Sequence, residues 1–298
     1  MENDSKAKVV CFGEVLWDIL PTGPVPGGAP MNVTYHLQKE GLTPLLITSI
    51  GKDNEGDELK AVFASHGVST ELFQCDDDHE TGKVYAHPNE QNEVTYDIVQ
   101  PVAWDFIRWQ EGFKELVSDT TYFVFGSLAA RSAVSRGTLF RLLESASFGV
   151  LDINLRPPHY SRQVVEELIR KASFLKLNEG ELDLVSTWSS TLVNTEDKVR
   201  AVADHYNLSI IVVTMGAKGA LLFIDGTVYR HGGFKVKVAD TVGSGDAFLA
   251  GLLSKLSAGT RPALALEYAN ALGALIASKR GACPHYSAEE VRSIIKNG

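Results

Sequence analysis

Cysteine is scarce in this chain: Cys11, Cys75 and Cys283 are the only three in 298 residues, far apart and with no Cys-x-x-Cys. So odd and scattered a set argues against a disulfide framework or a structural zinc site, and it fits a reducing compartment. Long apolar runs are also missing, and none approaches the roughly 20 residues that span a bilayer. The polar first eight residues lead into no signal-like apolar stretch, so the expected location is the cytoplasm. Basic charge is in deficit, with 28 Lys and Arg against 37 Asp and Glu and a formal net charge of −9. That balance argues against a general nucleic-acid or anionic-membrane binder. It does not exclude an anionic nucleotide, because a local cradle of N–H groups can overcome a distant, screened acidic field. Familiar site signatures are absent too: no Gly-x-x-x-x-Gly-Lys-[Ser/Thr], no completed Gly-x-Gly-x-x-Gly, no His-Glu-x-x-His and no Gly-x-Ser-x-Gly.

What is present is ordinary globular composition arranged in an alternating pattern. Short β-branched and aromatic runs at 8–12, 45–50, 121–125, 150–153, 174–177 and 210–214 alternate with helical patterns at 31–40, 55–66, 132–145, 163–171 and 196–206. Such alternation predicts an α/β domain with a mainly parallel sheet flanked by helices. Asp225-Gly226 between two apolar runs reads as a hairpin, and the C-terminal part reads helical at 247–256, 262–278 and 288–296. Residues 14–28 and 81–102 break the pattern. The second alternates at Val94, Tyr96 and Ile98 as a strand with one covered face would. Together they are expected to form a small β-sheet lid on a single domain spanning 1–298, or else a pair of surface hairpins.

The richest segment is Asp240-Thr241-Val242-Gly243-Ser244-Gly245-Asp246, where a loop becomes a helix. Glycines let backbone N–H groups approach an anion closely, and the first helical turn leaves further N–H groups unpaired. A carboxylate in that cradle would repel phosphate unless it had a task, and accepting a proton from an attacking hydroxyl is such a task. The alternative is that Asp246 only caps the helix.

Other suitable groups follow predicted strands, where open α/β sheets bind ligands. Asp18 can accept from two sugar hydroxyls or be a solvated turn residue, and Asn32, after a Pro-Gly run containing Gly28, is a sugar amide or a cap. In Asp152-Ile153-Asn154-Leu155-Arg156, the Arg156 fork suits hydroxyls, a carboxylate or phosphate, or pairs with a neighbouring acid. Asn178 and Glu181 share one face of a helical turn and suit Mg²⁺ through water. Thr214, Gly216 and Gly219 can line a nucleotide or form a tight turn. Four such clusters at strand ends suit one shared crevice.

These residues resemble the ribokinase-like (PfkB) carbohydrate kinases over nearly the whole chain, most of all the bacterial fructokinases. Gly27-Gly28-Ala29-Pro30-Met31-Asn32, with Gly41 and Gly51, resembles the N-terminal signature, and residues 240–246 resemble the C-terminal one. Gly13-Glu14-Val15-Leu16-Trp17-Asp18 and Ala103-Trp104-Asp105 carry the likeness to fructokinases. The resemblance implies a three-layer α/β/α domain with a β-sheet lid and transfer of the ATP γ-phosphate to a primary hydroxyl, giving fructose 6-phosphate. It makes Asp246 the base and Gly243, Ser244 and Gly245 the anion hole, with Asp18, Gly28, Asn32, Asn154 and Arg156 holding sugar. Asn178, Thr214, Gly216, Gly219 and Asn270 would serve the nucleotide, Asn270 being otherwise a helix-surface residue. Glu181 would order Mg²⁺ through water, and a K⁺ site near Asp240 and residues 277–282 is an option within the family. Ser244 replaces the usual Ala, and His159-Tyr160 replaces a usual Leu-Trp. Acceptors left open are 2-keto-3-deoxygluconate, ribose and nucleosides; a silent sugar sensor is the alternative of another class. The partners implied are a small sugar and ATP, not nucleic acid or membrane, and pairing of two copies through the lid is an option.

Overall fold

A computed structural model describes residues 8–21, 23–88, 94–189 and 191–298. Residues 1–7, and residues 22 and 89–93 within the two segments expected to form the lid, lie outside the described residues.

The main sheet has nine strands. From one edge they are β13 (Thr227–His231), β12 (Ala220–Ile224), β11 (Ile210–Thr214), β10 (Phe174–Asn178), β9 (Gly149–Asp152), β8 (Tyr122–Gly126), β1 (Lys8–Phe12), β4 (Thr43–Gly51) and β5 (Phe73–Asp76). The seven from β11 to β5 pair in parallel, while β12 and β13 form the predicted antiparallel hairpin at the edge. Side chains alternate across β1: Val10 and Phe12 join one core and Val9 and Cys11 the other. The first core is covered by α3 (Phe113–Ser118), α4 (Ala133–Leu143), α5 (Arg162–Lys171), α6 (Glu179–Ser186) and α7 (Thr195–Tyr206). The second is covered by α1 (Ala29–Lys39), α2 (Asn54–Ser65), α8 (Ser244–Ser257) and α9 (Pro262–Ala277), with α10 (Ala288–Asn297) packed outside α9. Because both faces are covered, the central strands read as nearly continuous apolar runs, Lys176 in β10 apart.

The two segments that broke the alternation do form a small sheet, ordered β3 (Gly23–Gly27), β2 (Leu16–Leu20), β6 (Gly82–Pro88) and β7 (Val94–Ile98). Its β2–β6 pair is parallel and the other two are antiparallel. Leu16, Val84 and Ile98 anchor it in the main core. Tyr96, expected on the same covered face as Ile98, is 57% exposed, because only the end of β7 next to the main domain is covered.

Candidate active site

Strands β1, β9, β10 and β11 all end on one edge of the sheet, and each releases a loop carrying functional side chains. Helix α8 aims its N-terminus at the same place. Gly243 is its N-cap at φ 75°, a left-handed conformation, and no side chain caps the first turn. A Cβ on Gly243 would overlap Ala282, so this glycine is required by close packing as well as by φ. The Ser244 hydroxyl donates to Thr241 O at 2.8 Å, which turns it back into the loop. What the turn leaves open is therefore its backbone N–H groups, with no side-chain cap on them.

Asp246 lies in that first turn, half-buried, and its Oδ2 accepts from Asn32 Nδ2 at 2.8 Å. Burial, and then the nearby Asp152 charge, push its pKa up to about 6, against the pull of Lys176, Asn32 and Arg156. The group is thus mainly ionised at neutral pH yet more basic than an ordinary Asp.

Asn32 is buried one turn into α1, its N–H bonded to Gly28 O. Gly28 has φ 114°, and a Cβ there would strike the Glu14 carbonyl. Asp18, on β2, lies with its carboxylate against the Cα of Gly27, and burial pushes its pKa up to about 6 against the Arg156 charge. Asn154 takes φ 37°, turning the chain after β9 so that exposed Arg156 bears electrostatically on Glu14, Asp18 and Asp246. Of the five residues expected to hold sugar, Asn32 bonds Asp246 directly, Gly28 bonds Asn32 through the backbone, and Arg156 bears on both Asp18 and Asp246.

On the nucleotide side the picture is more structural. Asn178 caps α6, accepting from Glu181 N, while Glu181 Oε2 accepts from Asn178 N and Oε1 from Leu155 N. Both Glu181 oxygens are thus engaged, each with one lone pair left that a hydrated cation could reach through water. Burial, then Asp152, raises the Glu181 pKa. Among the described residues, no three His, Cys, Asp or Glu side chains are grouped to hold a metal. Thr214 ends β11, its hydroxyl 3.4 Å from Leu177 O. Gly216, at φ 56°, has open space where a Cβ would be. Gly219 does not: the chain at His231–Gly233 passes where its Cβ would stand, so that glycine serves packing. Asn270 is buried, not on the helix surface, and its Nδ2 donates to Leu266 O at 2.8 Å. Asp240 accepts from Val242 N and Gly281 N, bracing the cradle loop against the segment after α9.

The chain matches the pfkB family carbohydrate kinase profile over residues 7–288. It belongs to that family. An Escherichia coli fructokinase is 29% identical over 84% of this chain and 85% of its own length. Arabidopsis thaliana probable fructokinase-7 is 28% identical over 94% and 90%. Among solved structures, a Vibrio cholerae O395 fructokinase double mutant bound to fructose, ADP and potassium has a TM-score of 0.84 at 25% identity, covering 99% of this chain and 100% of that one.

Within this kinase, three buried residues escaped the sequence reading. Lys176 Nζ bonds Asp152 Oδ2 at 2.6 Å, both side chains at least nine-tenths buried, and lies 3.6 Å from where a Cβ on Gly245 would stand. Burial pulls the Lys176 pKa down, but Asp152 and Asp246 outweigh it and leave it raised. Glu14 is 3% exposed, and burial pushes its pKa up to about 7. A lysine inside an apolar central strand was the available signal for Lys176. For Glu14 and the buried Asp152, the signal was a carboxylate placed at a strand end.

Proposed function

We propose that this kinase transfers the γ-phosphate of ATP to the primary O6 hydroxyl of fructose, with Asp246 as the base. One observation carries the reading: Asp246 stands in the uncapped first turn of α8 and is bonded to Asn32 of the sugar-side helix. A hydroxyl placed beside Asp246 loses its proton to that carboxylate as its oxygen attacks the γ-phosphorus; the bond from that phosphorus to the bridging oxygen breaks, and ADP leaves. The N–H groups of Gly243–Asp246 then face the charge spreading over the transferring group. Asp18, Gly28, Asn32, Asn154 and Arg156 orient the sugar. The small sheet of β2, β3, β6 and β7 acts as a lid that excludes water as a competing acceptor.

Mg²⁺ entering with the nucleotide supplies charge neutralisation, and Asn178 and Glu181 order it through water. Thr214 and Gly216 border the nucleotide, with Asn270 on its adenine side. K⁺ beside Asp240 belongs to the same proposal, as does pairing of copies through the lid. That pairing would use β7 sooner than β3, since Pro24 and Pro26 leave β3 short of N–H donors.

Charge favours a neutral acceptor over an acid sugar. Arg156 stands among the carboxyls of Glu14, Asp18 and Asp246, while Lys176 is occupied by Asp152. A coupled ADP-release assay over fructose, ribose, 2-keto-3-deoxygluconate and adenosine tests this, repeated with Asp246→Asn. Fructose is expected to give the highest kcat/KM. Preference for the acid sugar would overturn the acceptor, and an active Asp246→Asn enzyme would overturn the base. Absence of sugar-dependent ADP release would favour the sensor.

A further inference from the structure

Residues 280–286, which follow α9, are neither helix nor strand, and among the described residues they make no backbone–backbone hydrogen bond. Side chains hold them instead, several of them from α1. His36 Nε2 bonds Ala282 O at 2.9 Å, the Tyr35 hydroxyl donates to Pro284 O at 2.9 Å, and Cys283 Sγ lies 3.5 Å from Asn32 Oδ1. Asn32, Tyr35 and His36 stand at i, i+3 and i+4, so one face of the helix grips three successive residues. From the other side, Gly281 N donates to Asp240 Oδ2 at 3.1 Å.

His36 is fully buried, and burial lowers its pKa to about 4, so the ring is neutral near pH 7 and carries a single N–H. A carbonyl oxygen only accepts, which places that N–H on Nε2 and leaves Nδ1 facing the Tyr286 hydroxyl at 3.4 Å. That hydroxyl lies 3.3 Å from Glu40 Oε1, and Tyr268 donates to Glu40 Oε2 at 2.8 Å. The row from Glu40 through Tyr286 steadies the ring, and the ring holds Ala282.

Ala282 matters because of what rests on it. Its Cα and O lie 2.6 and 2.7 Å from where a Cβ on Gly243 would stand, and Gly243 is the left-handed N-cap from which α8 starts. We propose that α1 clamps the cradle: His36, supported by Tyr35, is a positioning residue that keeps Ala282 as the floor under Gly243 and so aims the N–H groups of Gly243–Asp246. The same helix carries Asn32, bonded to Asp246, so one element sets both the base and the donors around it. The aim at a phosphoryl group rests on the proposed function; the clamp itself does not.

The test compares His36→Leu, which has no donor, with His36→Gln, whose amide N–H reaches toward the same carbonyl. Tyr268→Phe is the control, since it loosens the far end of the row at Glu40 without touching Ala282. Steady-state kinetics and hydrogen exchange of peptides spanning residues 240–248 are read on each folded full-length variant. His36→Leu is expected to speed exchange there and to lower kcat at least about tenfold, toward the about 10²–10³ that loss of one such donor costs, with KM for fructose within about twofold of wild type. His36→Gln should keep both readouts within about threefold of wild type, because the N–H to Ala282 is retained. Tyr268→Phe should melt lower yet keep both.

Equal losses in the Leu and Gln variants would assign the effect to side-chain shape and overturn the donor role. A matching fall of kcat in Tyr268→Phe would mean general loosening and overturn the clamp, as would wild-type exchange in His36→Leu. Faster exchange with kcat intact, or a rise in KM alone, would overturn the positioning role. Should His36→Leu not fold, Tyr35→Phe decides, since it loses only a hydroxyl: faster exchange with slower turnover supports the clamp, and wild-type values overturn it. Exchange is read without turnover, so a protein that phosphorylates none of the sugars would fail the proposed function and still decide the clamp.

Discussion

Asn32 Nδ2 donates to Asp246 Oδ2 at 2.8 Å, joining α1 to the first turn of α8 across 214 residues of sequence. The bond favours the ionised carboxylate, and burial opposes it. Since the base works only when ionised, kcat should fall as pH drops through about 6. Asp246→Asn is expected to lower kcat by about 10²–10⁴ while fructose and ADP still bind, as calorimetry would register. Asn32→Ala should retain activity but move the acid limb upward, since the bond holding the ionised form is gone.

The buried Lys176–Asp152 pair sets the charge behind that base. Lys176→Met leaves Asp152 uncompensated, which should cost about 3–5 kcal/mol of stability in denaturant titration. It should also move the acid limb of kcat/KM above its wild-type position, because Lys176, with Asn32 and Arg156, holds the Asp246 pKa down against burial and Asp152. Adding Asp152→Leu removes both opposing charges. Stability should largely return and the limb should move back toward about 6. A limb that stays put in the single variant would mean that Lys176 only fills space.

The sheet was legible because its strands, apolar on both faces, stand out from the helices between them. The loop-to-helix junction at residues 243–246 was legible because a glycine with positive φ and an acid in the first turn are what a helix start uses. Strand β5 was not, since Phe73-Gln74-Cys75-Asp76 is short and sits at an edge where polar residues are tolerated. That residues 231–233 pass across Gly219 was not legible, because such an approach is a property of the fold and not of the residue type. Lys176 was hidden for a related reason: its partner Asp152 is its cross-strand neighbour in the β9–β10 register, and such pairing is a property of the fold.

Glu14 shows how the site trades stability for charge. Its carboxyl is 3% exposed, Oε2 has no partner, and its pKa is pushed up to about 7 from an ordinary 4.5. A raised carboxyl pKa means the folded state prefers the protonated form, so ionisation destabilises the fold above about pH 7 and the penalty fades as pH falls toward 4.5. Glu14→Gln should therefore stabilise the protein at pH 8, by at most about 3 kcal/mol, with the gain vanishing below about pH 4.5. Denaturant midpoints at the two pH values measure this. A constant gain across the range would point to packing rather than charge.

Gly243 and Gly41 separate backbone strain from site chemistry. Both have positive φ, 75° and 90°, but Gly41 has open space around its missing Cβ whereas Gly243 abuts Ala282. Alanine at either position should cost about 1–3 kcal/mol of stability through the strained backbone. Only Gly243→Ala should also displace the first N–H groups of α8, and with them about 10²–10³ of kcat. Its Kd for fructose should stay near wild type, because Asn32 and Asp18 do not pack on Gly243. Steady-state kinetics on both variants, at a temperature where each is folded, decides the matter: an equal loss of kcat in the two would assign the effect to general loosening and remove the cradle from the mechanism.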